Sequence, residues 1–464
     1  MRGAIRLATA AVCAVGVALP SAASAQKPSV REAVESYTYT QNMHPMGYSP
    51  MGNVPNLPGL TFTANSDLAF WGHYAFQGHY DGFRIVNIAS PANPREVSVT
   101  TCVGNQGDIV VYGDILVRAW NSAAPAGATC DGVPVPLGFE GVHIFDISDL
   151  EDPVLVGSVE ISNRVGADAL GCGSHTITGV PDLEAGTLVI YNQSAGFCAT
   201  GEQEAFHVFE IPLDDPANPT TPTEIELHEA MGCHDSGVIL GDANLLACAA
   251  HMHTNVFDIG DNEFPGGSLT EPVLLYTVQE EGVCNEPGNP LCNGNWHSAA
   301  FTYDGEVLIL GWEPGGGSLP ECEATDPDVK KSWFFYDAKT GEKLGQFVLP
   351  RPQTATENCT VHNYNVVPTD KRYLLVGGNY QAGISVVDFT DPANAVEVAY
   401  ADPAPLSPTQ LGGDWSTYWY NGRIYESDIT RGLLIWNLSG KWEAGARKLP
   451  YLNPQTSEFT LPSP

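Results

Sequence analysis

Long helical periods are absent from this chain. No stretch repeats apolar residues at 3.6-residue spacing over several turns, which argues against a helical bundle and against the familiar α/β enzyme folds. Cys-x-x-Cys is absent too, so neither a zinc ribbon nor a thioredoxin-like site is present. There is no Gly-x-Ser-x-Gly elbow to carry a serine nucleophile. The run Gly315-Gly316-Gly317 is not followed by Lys-Ser or Lys-Thr, and so is not a phosphate loop. Basic residues are scarce: 20 Lys and Arg stand against 54 Asp and Glu, a net charge of −34. That surface repels polyanions, which excludes nucleic acid as a partner. Past the first 25 residues no apolar run is long enough to span a bilayer.

The first residues read as an export signal. Arg2 and Arg6 precede an apolar stretch from Leu7 to Leu19, and Ala23-Ser24-Ala25 is a small-x-small cleavage site. Cleavage near Ala25 predicts an extracytoplasmic protein, periplasmic or released. It removes one of the 11 cysteines and leaves an even number: Cys102, Cys130, Cys172, Cys198, Cys233, Cys248, Cys284, Cys292, Cys322 and Cys359. In an exported chain an even set points to disulfides. Cys102 with Cys130, Cys172 with Cys198, and Cys233 with Cys248 occupy related positions. The other four allow more than one pairing, and spacing does not fix the connectivity.

What is present is a repeat. Short β-branched and aromatic runs end in Asp or Asn and are often followed by a proline-rich turn: Phe83–Ile88, Val142–Ile147, Phe206–Ile211, Asn255–Ile259, Trp333–Asp337, Ile384–Phe389 and Leu433–Leu438. Two short strands joined by a tight turn precede each copy, and one strand follows. Four antiparallel strands per unit, repeated seven times at roughly 40–65 residues, predict an all-β, seven-bladed β-propeller. The expected blades are 66–101, 107–161, 173–229, 233–279, 296–350, 361–402 and 413–438, within a single domain spanning 26–464. The last blade lacks an outer strand. The segment from Ser36 to Tyr48 has no blade of its own and is expected to supply it, removing an exposed edge. The tail after Leu438 is expected to wrap the surface.

The phrases "IVNI…PANP", "IFDI", "VFEI…PANP" and "VVDF…PANA" resemble those of LVIVD-repeat proteins, a group of secreted bacterial and archaeal propellers. The resemblance covers nearly the whole mature chain. It implies architecture and export but no particular reaction, because the group has no well-established common activity.

The start of each inner strand carries a histidine or an aspartate: Asp67, Asp108, His175, His234, His297, His362 and Asp414. With only 12 histidines in the chain, four at equivalent positions are not a chance pattern. Inner strands line a propeller's channel, so these side chains should crowd one mouth. The neighbouring strand ends add His79, Arg118, Gln193, His253, Glu313, Tyr380 and Glu426 as a surrounding ligand site. Imidazoles and carboxylates together suit a divalent or transition metal ion. The same residues could instead pin blades to one another by hydrogen bonds. The leading expectation is a monomeric binding or interaction protein, with a ligand or protein partner at this funnel face. The alternative is a metal-dependent oxidoreductase or hydrolase using the same histidines.

Overall fold

The computed structural model describes residues 28–50, 64–163, 173–194, 205–228, 232–250, 253–260, 262, 264, 266–280, 294–314, 320–321, 323–406 and 412–464. The signal-like segment therefore lies outside the described residues. So do Cys172, Cys198, Cys284, Cys292 and Cys322.

The repeated phrase explains the blade. Each copy is a third strand, and in blades one, two, five and six its closing Asp or Asn ends it with an Asx turn. Asn87 Oδ1 accepts from Ala89 N at 2.9 Å, Asp146 Oδ1 from Ser148 N at 2.8 Å, Asp337 Oδ1 from Lys339 N at 3.0 Å, and Asp388 Oδ1 from Thr390 N at 3.0 Å. The side chain replaces the next ladder bond and redirects the backbone. Aromatic residues of these strands then pack between blades. The rings of Phe83 and Phe145 lie 4.9 Å apart, those of Phe206 and Phe257 5.6 Å, and Phe335 stacks on Phe389 at 4.6 Å. Truncating such a buried ring typically costs about 3–5 kcal/mol.

Seven sheets of four or five strands result, each antiparallel within its blade. The inner strands are Asn65–Trp71, Ile109–Tyr112, Ile177–Asp182, Cys233–Ile239, Gly294–Phe301, Tyr364–Val366 and Asp414–Tyr420. The protein is a seven-bladed β-propeller, as the repeats predict. The ring closes through the N-terminal segment: Met43–Pro50 pairs with Gly432–Leu438, from Met43 opposite Leu438 to Pro50 opposite Gly432. The segment does more than expected. Thr38–Tyr39 adds a fifth strand to the outer edge of blade six, opposite Asp402 and Ala401.

The C-terminal tail does not wrap the outside; it crosses the far end of the channel. Tyr451–Leu452 pairs with Trp71 and Phe70 of blade one. Asn453 brackets Val111 of blade two, accepting from its N and donating to its O, both at 2.9 Å. Thr456 Oγ1 donates to Gly179 O of blade three at 2.9 Å, and Thr456–Ser457 runs parallel to Val238–Ile239 of blade four. Leu461 N donates to Tyr303 O at 2.6 Å, beside blade five. Inner strands have no neighbour on their channel side, so their unpaired edge groups accept an extended segment there.

Two disulfides join described cysteines, Cys102–Cys130 and Cys233–Cys248. Cys359 is also disulfide-bonded, to a residue outside the described ones. Among the described residues no helix is long and apolar enough to cross a membrane.

Candidate functional site

A recurrent bulge builds the mouth of the channel. The register between the first and second strands slips between Asn65 and Leu68, Cys233 and Asp235, Trp296 and Ser298, and Asp414 and Ser416. A bulged residue leaves the ladder and its side chain is re-aimed. The freed residues include Asp67, His234, His297 and, in blade seven, Trp415. His175 and His362 stand just before their own inner strands.

The four ring histidines meet. The imidazole centroids of His175 and His234 are 4.3 Å apart, those of His234 and His297 4.2 Å, and those of His297 and His362 4.2 Å. All four are buried. Burial pushes the His175 pKa down to about 4 and that of His362 to about 3. Burial, together with the neighbouring imidazoles, holds His297 well below the usual range. These three rings are therefore neutral at ordinary pH. Two have a fixed tautomer. Asn121 Oδ1 lies 2.6 Å from His175 Nδ1, and the Trp415 carbonyl faces His362 Nδ1. Both oxygens only accept, so Nδ1 carries the proton and Nε2 keeps its lone pair. Histidines that ligate metals are commonly held this way. His297 Nδ1 is buried without a partner.

Carboxylates flank the imidazoles. Asp67 accepts from Tyr418 Oη at 2.6 Å, from Gln455 Nε2 of the tail at 2.9 Å, and from Ser416 Oγ. Asp108 Oδ2 accepts from Ile177 N at 2.7 Å. Burial, and then Asp67, drives the pKa of both Asp108 and Asp235 well above the carboxylate range, and Asp108 is hydrogen-bonded to Asp67. Burial and mutual repulsion thus favour the protonated forms of Asp108 and Asp235. Asp235, which the alignment of strand starts did not single out, lies close enough to His234 and His297 for all three to reach one ion.

The remaining predicted residues divide. Glu313 Oε1 accepts from Tyr380 Oη at 2.7 Å, and its Oε2 lies 3.9 Å from His297 Nε2, so Glu313 and Tyr380 join the ring. Burial raises the Glu313 pKa to about 7. Asp414 turns away from the mouth toward Glu426 and Asp428 of its own blade. Glu426 is occupied by Tyr37 Oη and Trp436 Nε1, each at 2.6 Å, and Asp428 by Arg431 at 2.6 Å. Trp415, not Asp414, is blade seven's contribution, its ring 4.9 Å from that of His362. Arg118 directs its guanidinium to backbone carbonyls, at 3.0 Å to Gly82 and 3.1 Å to His79 and Asn105, and so ties blade two to blade one. Gln193 bridges blades three and four through Ser236 Oγ at 2.6 Å. His79 Nδ1 accepts from Asp81 N at 3.2 Å. His253 is buried at the start of the third strand of blade four, His253–Asp258.

Two latches also run through the ring, from Thr176 Oγ1 to His234 O and from Ser298 Oγ to His362 O at 3.1 Å. Blade pinning and ligand presentation are thus performed by adjacent residues. Between the histidines, Asp108, Asp235 and Trp415 lies a cavity of about 10 Å³, room for one occupant the size of a water molecule. A larger cavity, about 530 Å³, lies on the opposite side, between Asp242, Asp304 and the end of the tail, and shares no residue with the ring.

No family model and no curated protein matches the chain. Similar solved structures include the computationally designed Ika8 protein (11% identity, TM-score 0.44, covering 82% of this chain and 98% of that one). Chaetomium thermophilum Raptor is another (11%, 0.45, 88% and 29%), as is the Dos1 propeller (10%, 0.45, 83% and 80%).

Proposed function

We propose that this chain is an extracytoplasmic propeller of the LVIVD-repeat type that binds a single metal ion at the histidine-lined mouth of its channel. The observation that carries the reading is the contiguous row of four buried imidazoles around an ion-sized cavity, with His175 and His362 locked as Nδ1–H tautomers. Neutral nitrogen donors favour zinc, copper or nickel over calcium or magnesium. The export-signal pattern and the disulfides support a location outside the cytoplasm.

The test is the metal content of the untagged mature protein by elemental mass spectrometry. About one equivalent, lost in His297→Ala, is the expected result. A metal-free protein that takes up no zinc, copper or nickel on titration would overturn the proposal and leave the ring as a blade-pinning device.

A further inference from the structure

Two groups in the mouth could hold an ion: His234, Asp235 and His297, or His297, Glu313 and His362. We propose that the ion sits in the second group, ligated by His297, His362 and Glu313, and that Tyr380 is the positioning residue that makes Glu313 the oxygen ligand. This rests on the metal-binding reading above and selects the site within it.

The second group has outer partners that leave ligand atoms free. The Trp415 carbonyl fixes His362 with a bare Nε2. Tyr380 Oη donates to one oxygen of Glu313 at 2.7 Å, leaving the other to face His297 Nε2. That 3.9 Å separation is too long for a hydrogen bond. It suits two ligands of one ion, since atoms each about 2.1 Å from a metal lie roughly 3.4–4.2 Å apart.

Tyr380 is held in place at a cost. Its φ is +44°, a left-handed conformation unusual for a bulky residue. The tight turn of its own blade sets it, with Ala382 N donating to Asn379 O at 2.9 Å and Gly383 N to Tyr380 O at 3.0 Å, and blade seven adds a bond from Asp414 N to the Tyr380 carbonyl at 2.8 Å. Gly413, at φ +90°, lies so close that a Cβ there would meet the Tyr380 carbonyl carbon at 2.2 Å. Strain of this kind persists where the surroundings over-determine it, and it concentrates at functional positions. Here its product is a phenol aimed at Glu313, with its ring 4.4 Å from that of His362.

The experiment compares the full mature protein with Tyr380→Phe and Glu313→Gln. Copper(II) is the probe, with affinity measured by competition and ligand type by electron paramagnetic resonance. Tyr380→Phe keeps the ring and removes only the hydroxyl. Tyr380→Phe is expected to bind about 10–100-fold more weakly, as loss of an outer partner typically does, and Glu313→Gln, which removes the ligand itself, at least as weakly. Both should also lose the same oxygen-ligand signature while the apo protein melts as before. A merely structural tyrosine would not alter the spectrum. If wild type binds copper and both variants match it in affinity and spectrum, the proposed ligand set is wrong and the metal-binding reading survives. If wild type binds none of copper, zinc or nickel, that reading fails and takes this one with it.

Discussion

The tail across the channel gives a sharp test of how the propeller is held together. Asn453 is 2% exposed and Val111 fully buried, and the Asn453 amide satisfies both the N–H and the C=O of Val111, at 2.9 Å each. It acts as a one-residue strand against the channel edge of blade two. Asn453→Ala removes both partners at once. A buried backbone group left unpaired costs about 1–3 kcal/mol, so two give roughly 2–6 kcal/mol, reduced to about 2–4 if water enters the vacated space. Asn453→Asp keeps an acceptor for the Val111 N–H but turns a carboxylate toward its carbonyl, and should destabilise at least as much. Urea denaturation reads the global loss. Amide exchange at Val111 reads the local one and should rise in step. A loss below about 0.5 kcal/mol with unchanged Val111 protection would refute the argument, because the tail would then be lying on the channel rather than completing it.

The protein should also lose stability in acid. Burial, with the Arg118 charge assisting, lowers the pKa of His79 and His143 from 6.5 to about 3, so the native state binds fewer protons than the unfolded chain. This contribution is complete above pH 6.5 and is lost as the pH falls from there toward 3. Thermal unfolding across that window should show the decline, and His143→Phe should flatten part of it; an equally steep decline in that variant would exclude His143 as a source. The Cys233–Cys248 bridge closes a 15-residue separation, for which loop entropy gives about 3 kcal/mol. Replacing both cysteines with serine should cost about that much in urea, and a change under about 1 kcal/mol would contradict the loop-entropy estimate.

The blades were legible because one local device repeats. An Asp or Asn closing a β-branched and aromatic run ends the strand through its own side chain, at Asn87, Asp146, Asp337 and Asp388 alike. No distant residue is needed, so the signal survives in the bare sequence. The closing strand was legible by subtraction: a blade without an outer edge and a segment without a blade. The tail was not. Its pairings are two residues long, and Asn453-Pro454 reads as turn punctuation. Only the unpaired channel edges of blades one to four, which exist once the ring has closed, give those residues partners.

The ring was legible as a set of positions but not to the residue, and the reason is the bulge. A bulge adds one residue to a strand, and alternation cannot say which of two neighbours is expelled. In blade seven the choice fell on Trp415, with Asp414 left inside the blade. A usable signal did exist: Trp415 precedes Ser416 as His297 precedes Ser298 and His175 precedes Thr176, and all three hydroxyls latch the next blade. A deeper limit separates Glu313 from Glu426. Both are glutamates near the ends of second strands, both are buried, and both accept from a tyrosine. Tyr37, 389 positions away, binds one oxygen of Glu426, and Trp436 binds the other. Tyr380 binds one oxygen of Glu313 and leaves the other facing His297 at 3.9 Å. Whether a carboxylate is structural or available to a ligand is therefore set by how many of its lone pairs distant segments have already taken. That number is a property of the closed ring, and no local stretch of the chain contains it.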